Sequence, residues 1–177
     1  MSCGCLHLSH LMLIHSRLLA RTRARCGTNL ANFRTQKGQP LTDEQEIGAV
    51  IDEMYAMISG PAGPRDWSRQ ANCFLPEARQ VRTSVDEQGR PQMLGMGLDD
   101  YATNVTPFFM ANDFYEVETS RRIDLFGNIA HVWSGYEART STDAADVERR
   151  GINSIQLFRH AELGWRILNM IWDNERS

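Results

Sequence analysis

Three runs in the last third of the chain decide its fold: Asn128 to Arg139 (NIAHVWSGYEAR), Arg149 to Arg159 (RRGINSIQLFR) and Trp165 to Asp173 (WRILNMIWD). Each is long, rich in β-branched and aromatic residues, and separated from the next by a short connection, the pattern of a meander. The chain before them reads as helical. Strands gathered at one end of a sequence and helices at the other predict an α+β domain. The expected architecture is a strongly curved, mainly antiparallel sheet wrapped around the N-terminal helices and enclosing a pocket.

Working upstream, Thr42-Asp43-Glu44-Gln45 is a capping box, and Ile47, Val50, Ile51, Met54 and Ile58 follow at helical spacing until Gly60-Pro61. Pro64 opens a short second helix containing Trp67, Ala71 and Phe74, closed by Pro76. A strand near Ala78 to Ser84, a turn at Asp86 to Arg90 and a return strand near Gln92 to Met96 come next. A third helix runs from Gly97-Asp99 to about Phe109, with Pro107 marking its end, and Phe114 to Phe126 forms the strand before the final three. The predicted order is ααββαββββ.

Charge divides the 177 residues sharply. Residues 1–42 hold six bases and no acid, whereas residues 43–177 hold thirteen bases and all 22 acids. An acidic body makes a poor binder of phosphate backbones, so nucleic acid is not expected as a partner. The apolar stretch Leu6 to Leu19 is interrupted by His7, His10, His15 and Arg17, which argues against a secretory signal or a membrane span. Residues 1–41 are therefore expected to be a disordered or poorly ordered extension and residues 42–177 the folded domain. Arg-rich and free of acids, the extension also resembles a mitochondrial transit peptide, so the expected location is cytoplasmic, or mitochondrial in a eukaryotic host. Cys3, Cys5 and Cys26 follow no closed four-ligand spacing, and no metal or cofactor is expected. Cys73 reads as a small buried hydrophobe.

The element order, together with Phe74-Leu75-Pro76-Glu77-Ala78, Gly127-Asn128-Ile129-Ala130-His131-Val132-Trp133, Asn153-Ser154-Ile155-Gln156-Leu157 and Gly164-Trp165-Arg166-Ile167, resembles the nuclear transport factor 2-like superfamily. That is the cone fold of ketosteroid isomerase, scytalone dehydratase and the polyketide cyclases, and the resemblance covers about residues 43–175. It implies a small-molecule site but no single reaction, because the superfamily includes isomerases, dehydratases, cyclases and non-catalytic modules.

Matching by order to ketosteroid isomerase implies that Tyr55 takes the place of the first-helix oxyanion donor, Ser154 that of the protonated aspartate and Trp172 that of a pocket tryptophan. The general-base aspartate falls on Arg82, whose guanidinium stays protonated and cannot act as a base. Steroid isomerisation by that route is thereby disfavoured.

Strand parity, taken with this match, puts His131, Trp133 and Gly135 in the same cavity as Ile152, Ser154, Gln156, Leu168, Met170 and Trp172. The catalytic pair expected is His131 with Tyr55, moving a proton in an isomerase- or lyase-type reaction on an apolar cyclic or polyketide-like compound. Trp133, Ser154, Gln156, Met170, Trp172 and Arg82 are the expected ligand contacts. Ser154 lacks a nucleophile elbow, and no base is assigned to it, which argues against a serine nucleophile. The alternative is a non-catalytic ligand-binding or oligomerisation module. Both sheet faces are apolar, so the second, with Ile155, Leu157 and Ile171, is expected to form a homodimer contact.

Overall fold

The computed structural model describes residues 40–176, and the expectations for the extension at 1–39 lie outside the described residues. Helix α1 (Asp43–Ile58) starts at the capping box: the Gln45 amide donates to Thr42 Oγ1 at 3.3 Å, and the Thr42 amide donates to Gln45 Oε1 at 3.0 Å. Its expected stripe of Ile47, Val50, Ile51, Met54 and Ile58 is buried, and Tyr55 and Met57 widen it. Each such apolar side chain contributes roughly 1.5–3 kcal/mol by leaving water.

The second helix is shorter than expected. A 3-10 turn at Trp67–Arg69, capped by Asp66, leads into α2 (Gln70–Cys73), and Phe74 already belongs to β1 (Phe74–Val85) because it pairs with Ile167. Cys73 is fully buried, and burial pushes its thiol up to about 12, the state of an unreactive core residue. A turn in which the Asp86 carboxylate accepts from the Gln88 and Arg90 amides joins β1 to β2 (Pro91–Met96).

Helix α3 (Leu98–Ala111) runs four residues past Pro107, the expected stop. Proline removes one amide donor. Phe109, buried against Trp67 and Phe114, keeps the last turn on the core.

The remaining strands are β3 (Tyr115–Phe126), β4 (Ile129–Arg139), β5 (Arg149–His160) and β6 (Gly164–Asn174). All six form one sheet in the order β2-β1-β6-β5-β4-β3. Every neighbouring pair is antiparallel except β1 with β6. The register shifts in β1/β6, β3/β4 and β5/β6, and such bulges bend and twist the strands that carry them. No helix among the described residues is long and apolar enough to cross a membrane.

The sheet faces are the reverse of those expected for β4 and β5. Ala130, Val132, Ser134, Tyr136 and Ala138 of β4, with Gly151, Asn153, Ile155 and Leu157 of β5, are buried against the helices. Ile155 and Leu157, expected on an outer dimer face, are core residues at 0% and 2% exposure. Of the expected contact set only Ile171 is exposed, and it shares the outer face with Ile129, Trp133, Phe158 and Leu168. A parity error of one residue turns every side chain of a strand to the opposite face.

Candidate functional site

A polar cluster lies on the inner, helix-covered face of the sheet. Tyr55 reaches it from α1, Glu116 and Glu118 from β3, Ser134 and Tyr136 from β4, Asn153 from β5 and Asn174 from β6. Its centre is a directional chain of hydrogen bonds. Asn153 Nδ2 donates to the Tyr55 hydroxyl at 3.0 Å, Tyr55 and Ser134 Oγ are 2.7 Å apart, and Ser134 Oγ donates to Glu118 Oε1 at 2.6 Å. Because Ser134 spends its proton on Glu118, Tyr55 is the donor in their bond. Burial raises the Tyr55 phenol well above its ordinary value despite both bonds, so it stays neutral.

The β3 bulge makes the lower half of this cluster possible. With Glu118 opposite Tyr136 and Arg121 opposite Ser134, one extra residue lets both side chains of a three-residue spacing face inward. Arg121 then forks onto Glu118 and also reaches Asp52 of α1 at 2.5 Å. Gly48 gives the guanidinium room, since a Cβ there would lie 2.9 Å from Arg121 Nη1.

Glu116 is the chemically distinctive member. The residue is half-buried, and burial raises its carboxyl to about 7 while the nearby Asn153 amide and the Arg149 charge hold it down. Its charge in turn bears on the phenols of Tyr55, Tyr101 and Tyr136, each raised first by burial and further by Glu116. Tyr136 donates to Asn174 Oδ1 at 2.7 Å. Gly151, directly opposite Tyr136, must be small: a Cβ there would lie 2.4 Å from the Tyr136 hydroxyl. Tyr101 of α3 stands edge-on to Trp172 at 6.1 Å and to Trp67 at 5.9 Å. The cluster is thus a carboxyl that changes charge near neutrality, among three phenols and two amides, with an aromatic wall.

The residues expected to form one site divide between the two faces. Tyr55, Met170 and Trp172 lie inward, and Arg82, paired with Trp172, is exposed beyond the buried Gln80 of the same strand. His131, Trp133, Ser154 and Gln156 do come together, but on the outer face. There His131 Nε2 and Ser154 Oγ are 2.9 Å apart. The inward positions next to the expected ones are Ser134 and Asn153, and Glu116 was missed altogether. One signal for the β4 face was in the sequence: the row 129, 131, 133, 135, 137, 139 contains His, Glu and Arg, whereas the row 130 to 138 contains no charge. Glu116 had no comparable signal, because β3 carries charged residues on both faces.

No protein-family model and no curated protein sequence matches the chain. Solved structures do share its architecture. A nuclear transport factor 2-like superfamily protein from Salmonella enterica matches with TM-score 0.55 at 17% identity, over 76% of this chain and 92% of that one. A candidate dehydratase of the same family from Streptomyces avermitilis matches at 0.56 and 10% identity, over 76% and 97%. A candidate ketosteroid isomerase from Shewanella frigidimarina matches at 0.51 and 16% identity, over 74% and 97%. The chain has the nuclear transport factor 2-like fold. In this fold the inner polar cluster lies where helices cover the sheet, and the outer His131 group lies on the opposite side.

Proposed function

We propose that this nuclear transport factor 2-like domain binds a small apolar cyclic or polyketide-like compound at the inner cluster and acts on it as a lyase or isomerase, with Glu116 moving the proton. The observation that carries this reading is the placement of Glu116 on the inner face, beside the Asn153–Tyr55–Ser134–Glu118 chain and the Tyr136–Asn174 pair, with burial raising its carboxyl to about 7. An acid/base group works best when its pKa lies near the working pH, and burial is the usual way a carboxyl is brought there. Glu116 takes the role that the sequence suggested for His131. Tyr101 supplies a neutral hydroxyl, and Trp172 and Met170 supply apolar wall. The likeness to a candidate dehydratase and a candidate isomerase supports the reaction type only as an analogy of fold.

A second reading, binding without catalysis, is favoured by one observation: the Tyr55 hydroxyl is already engaged by both Asn153 and Ser134, leaving it no free proton for a ligand. The two readings separate in heavy water. A panel of apolar cyclic ketones, first ranked by thermal shift, is incubated with the full chain and examined by mass spectrometry for deuterium uptake. Protein-dependent uptake that falls by about 10²-fold or more in Glu116→Gln supports proton transfer. Binding with no uptake in wild type supports the non-catalytic reading.

A further inference from the structure

The outer face of the sheet holds a second group of reactive side chains, separate from the inner cluster. Three adjacent strands contribute one residue each. Asp124 of β3 lies directly opposite His131 of β4, and Ser154 of β5 lies opposite Trp133, one step diagonally from His131. Ser154 Oγ is 2.9 Å from His131 Nε2, and Asp124 Oδ2 is 4.0 Å from His131 Nδ1. Asp124 also accepts from Arg122 Nε at 3.2 Å, which fixes the carboxylate beside the ring and offsets part of its charge. A cavity of about 430 Å³ opens against His131 and Gln156 and is walled by Phe126, Ile129, Phe158 and Leu168. That volume lies in the range of small-molecule sites, and its composition, apolar walls with polar groups at one side, is theirs too.

We propose that Ser154 is a nucleophile activated by His131, forming an acyl-transfer site on the outer sheet face for small apolar esters. The sequence argued against a serine nucleophile because no base was assigned to Ser154, and the structure supplies one within hydrogen-bond reach. Ser154 Oγ attacks the ester carbonyl carbon as its proton passes to His131 Nε2. The carbon–oxygen bond to the alcohol then breaks, and the alcohol leaves with the proton from His131. Water then attacks the acyl-serine carbonyl, its proton passing to His131 Nε2; the bond from that carbon to Ser154 Oγ breaks, Oγ takes the proton back from His131, and the carboxylic acid leaves. Asp124, too far from the ring for a hydrogen bond, only places a carboxylate beside Nδ1. Gln156, directly opposite His131 on the same face, lines the cavity and is the side-chain amide available to the oxyanion in this scheme. The apolar cavity takes the acyl chain.

The test uses the full chain with two probes: a fluorophosphonate, read by intact mass and peptide mapping, and p-nitrophenyl butyrate, read by release of nitrophenolate. One label per chain on Ser154 is expected, absent in Ser154→Ala and slowed by about 10²-fold or more in His131→Gln. Hydrolysis should fall in parallel, and Leu168→Trp, which fills the cavity, should slow butyrate ester more than acetate ester. Circular dichroism of each variant establishes that the fold is intact. A native protein that takes no label on Ser154, or labels at the same rate in His131→Gln, overturns the proposal.

Discussion

Replacing Glu116 by Gln removes an ionisable group while keeping its shape, so its effect on stability should depend on pH in a direction fixed by the site. In the fold the carboxyl titrates near 7, raised from an ordinary value of 4.5, chiefly by burial. The folded state therefore favours the protonated form. Below about 4.5 the residue is neutral in both folded and unfolded chains and costs nothing. As pH rises from about 4.5 to about 7 the unfolded chain ionises first, and wild-type stability falls; above about 7 the full cost of roughly 3 kcal/mol is present. At about pH 5 the cost is less than about 1 kcal/mol by the same relation. Glu116→Gln should thus gain roughly 2–3 kcal/mol over wild type on going from about pH 5 to about pH 8. Urea unfolding of both proteins at the two pH values, with equal m-values required, measures the difference directly. A stability difference that is constant with pH, or that grows toward acid, would refute the placement of Glu116 in a buried, proton-retaining site.

Other consequences can be measured on the same equipment. Gly151→Ala should lower stability by roughly 1–3 kcal/mol, because its Cβ meets the Tyr136 hydroxyl and the Asp173 carbonyl; an unchanged urea midpoint would show that β5 gives way freely. Gln80 is buried at 1% exposure with Nε2 unpaired among the described residues, so Gln80→Met should stabilise by about 1 kcal/mol, and a loss of that size would reveal a partner for the amide. Thr42→Ala should cost about 1 kcal/mol through loss of the α1 cap, with Thr42→Ser restoring most of it in thermal unfolding.

The elements themselves follow from local chemistry, and the sequence is sufficient for them. The capping box, the α1 stripe, the Gly89 turn with φ of 74° and the long apolar runs act within a few residues of one another, so their outcome does not wait on distant parts of the chain. Boundaries slipped where a tertiary contact overrode a local signal, as at Pro107, carried through by Phe109, and at Phe74, claimed by its pairing with Ile167. Alternation likewise divides β5 into two rows, Gly151-Asn153-Ile155-Leu157 and Ile152-Ser154-Gln156-Phe158, but both rows carry apolar residues and neither names itself the core. Packing against α1 chooses the first, and with it moves His131 and Ser154 out of the inner site. In β6 the register shift opposite Gln156 and Leu157 keeps Ile167, Met170 and Trp172 together on the inner side across an odd spacing that simple alternation forbids. The charge state of Glu116 lies furthest from the sequence. It depends on how much water the fold removes around one carboxyl and on which amide and guanidinium the other strands bring to it, and only the assembled sheet and helices fix those quantities.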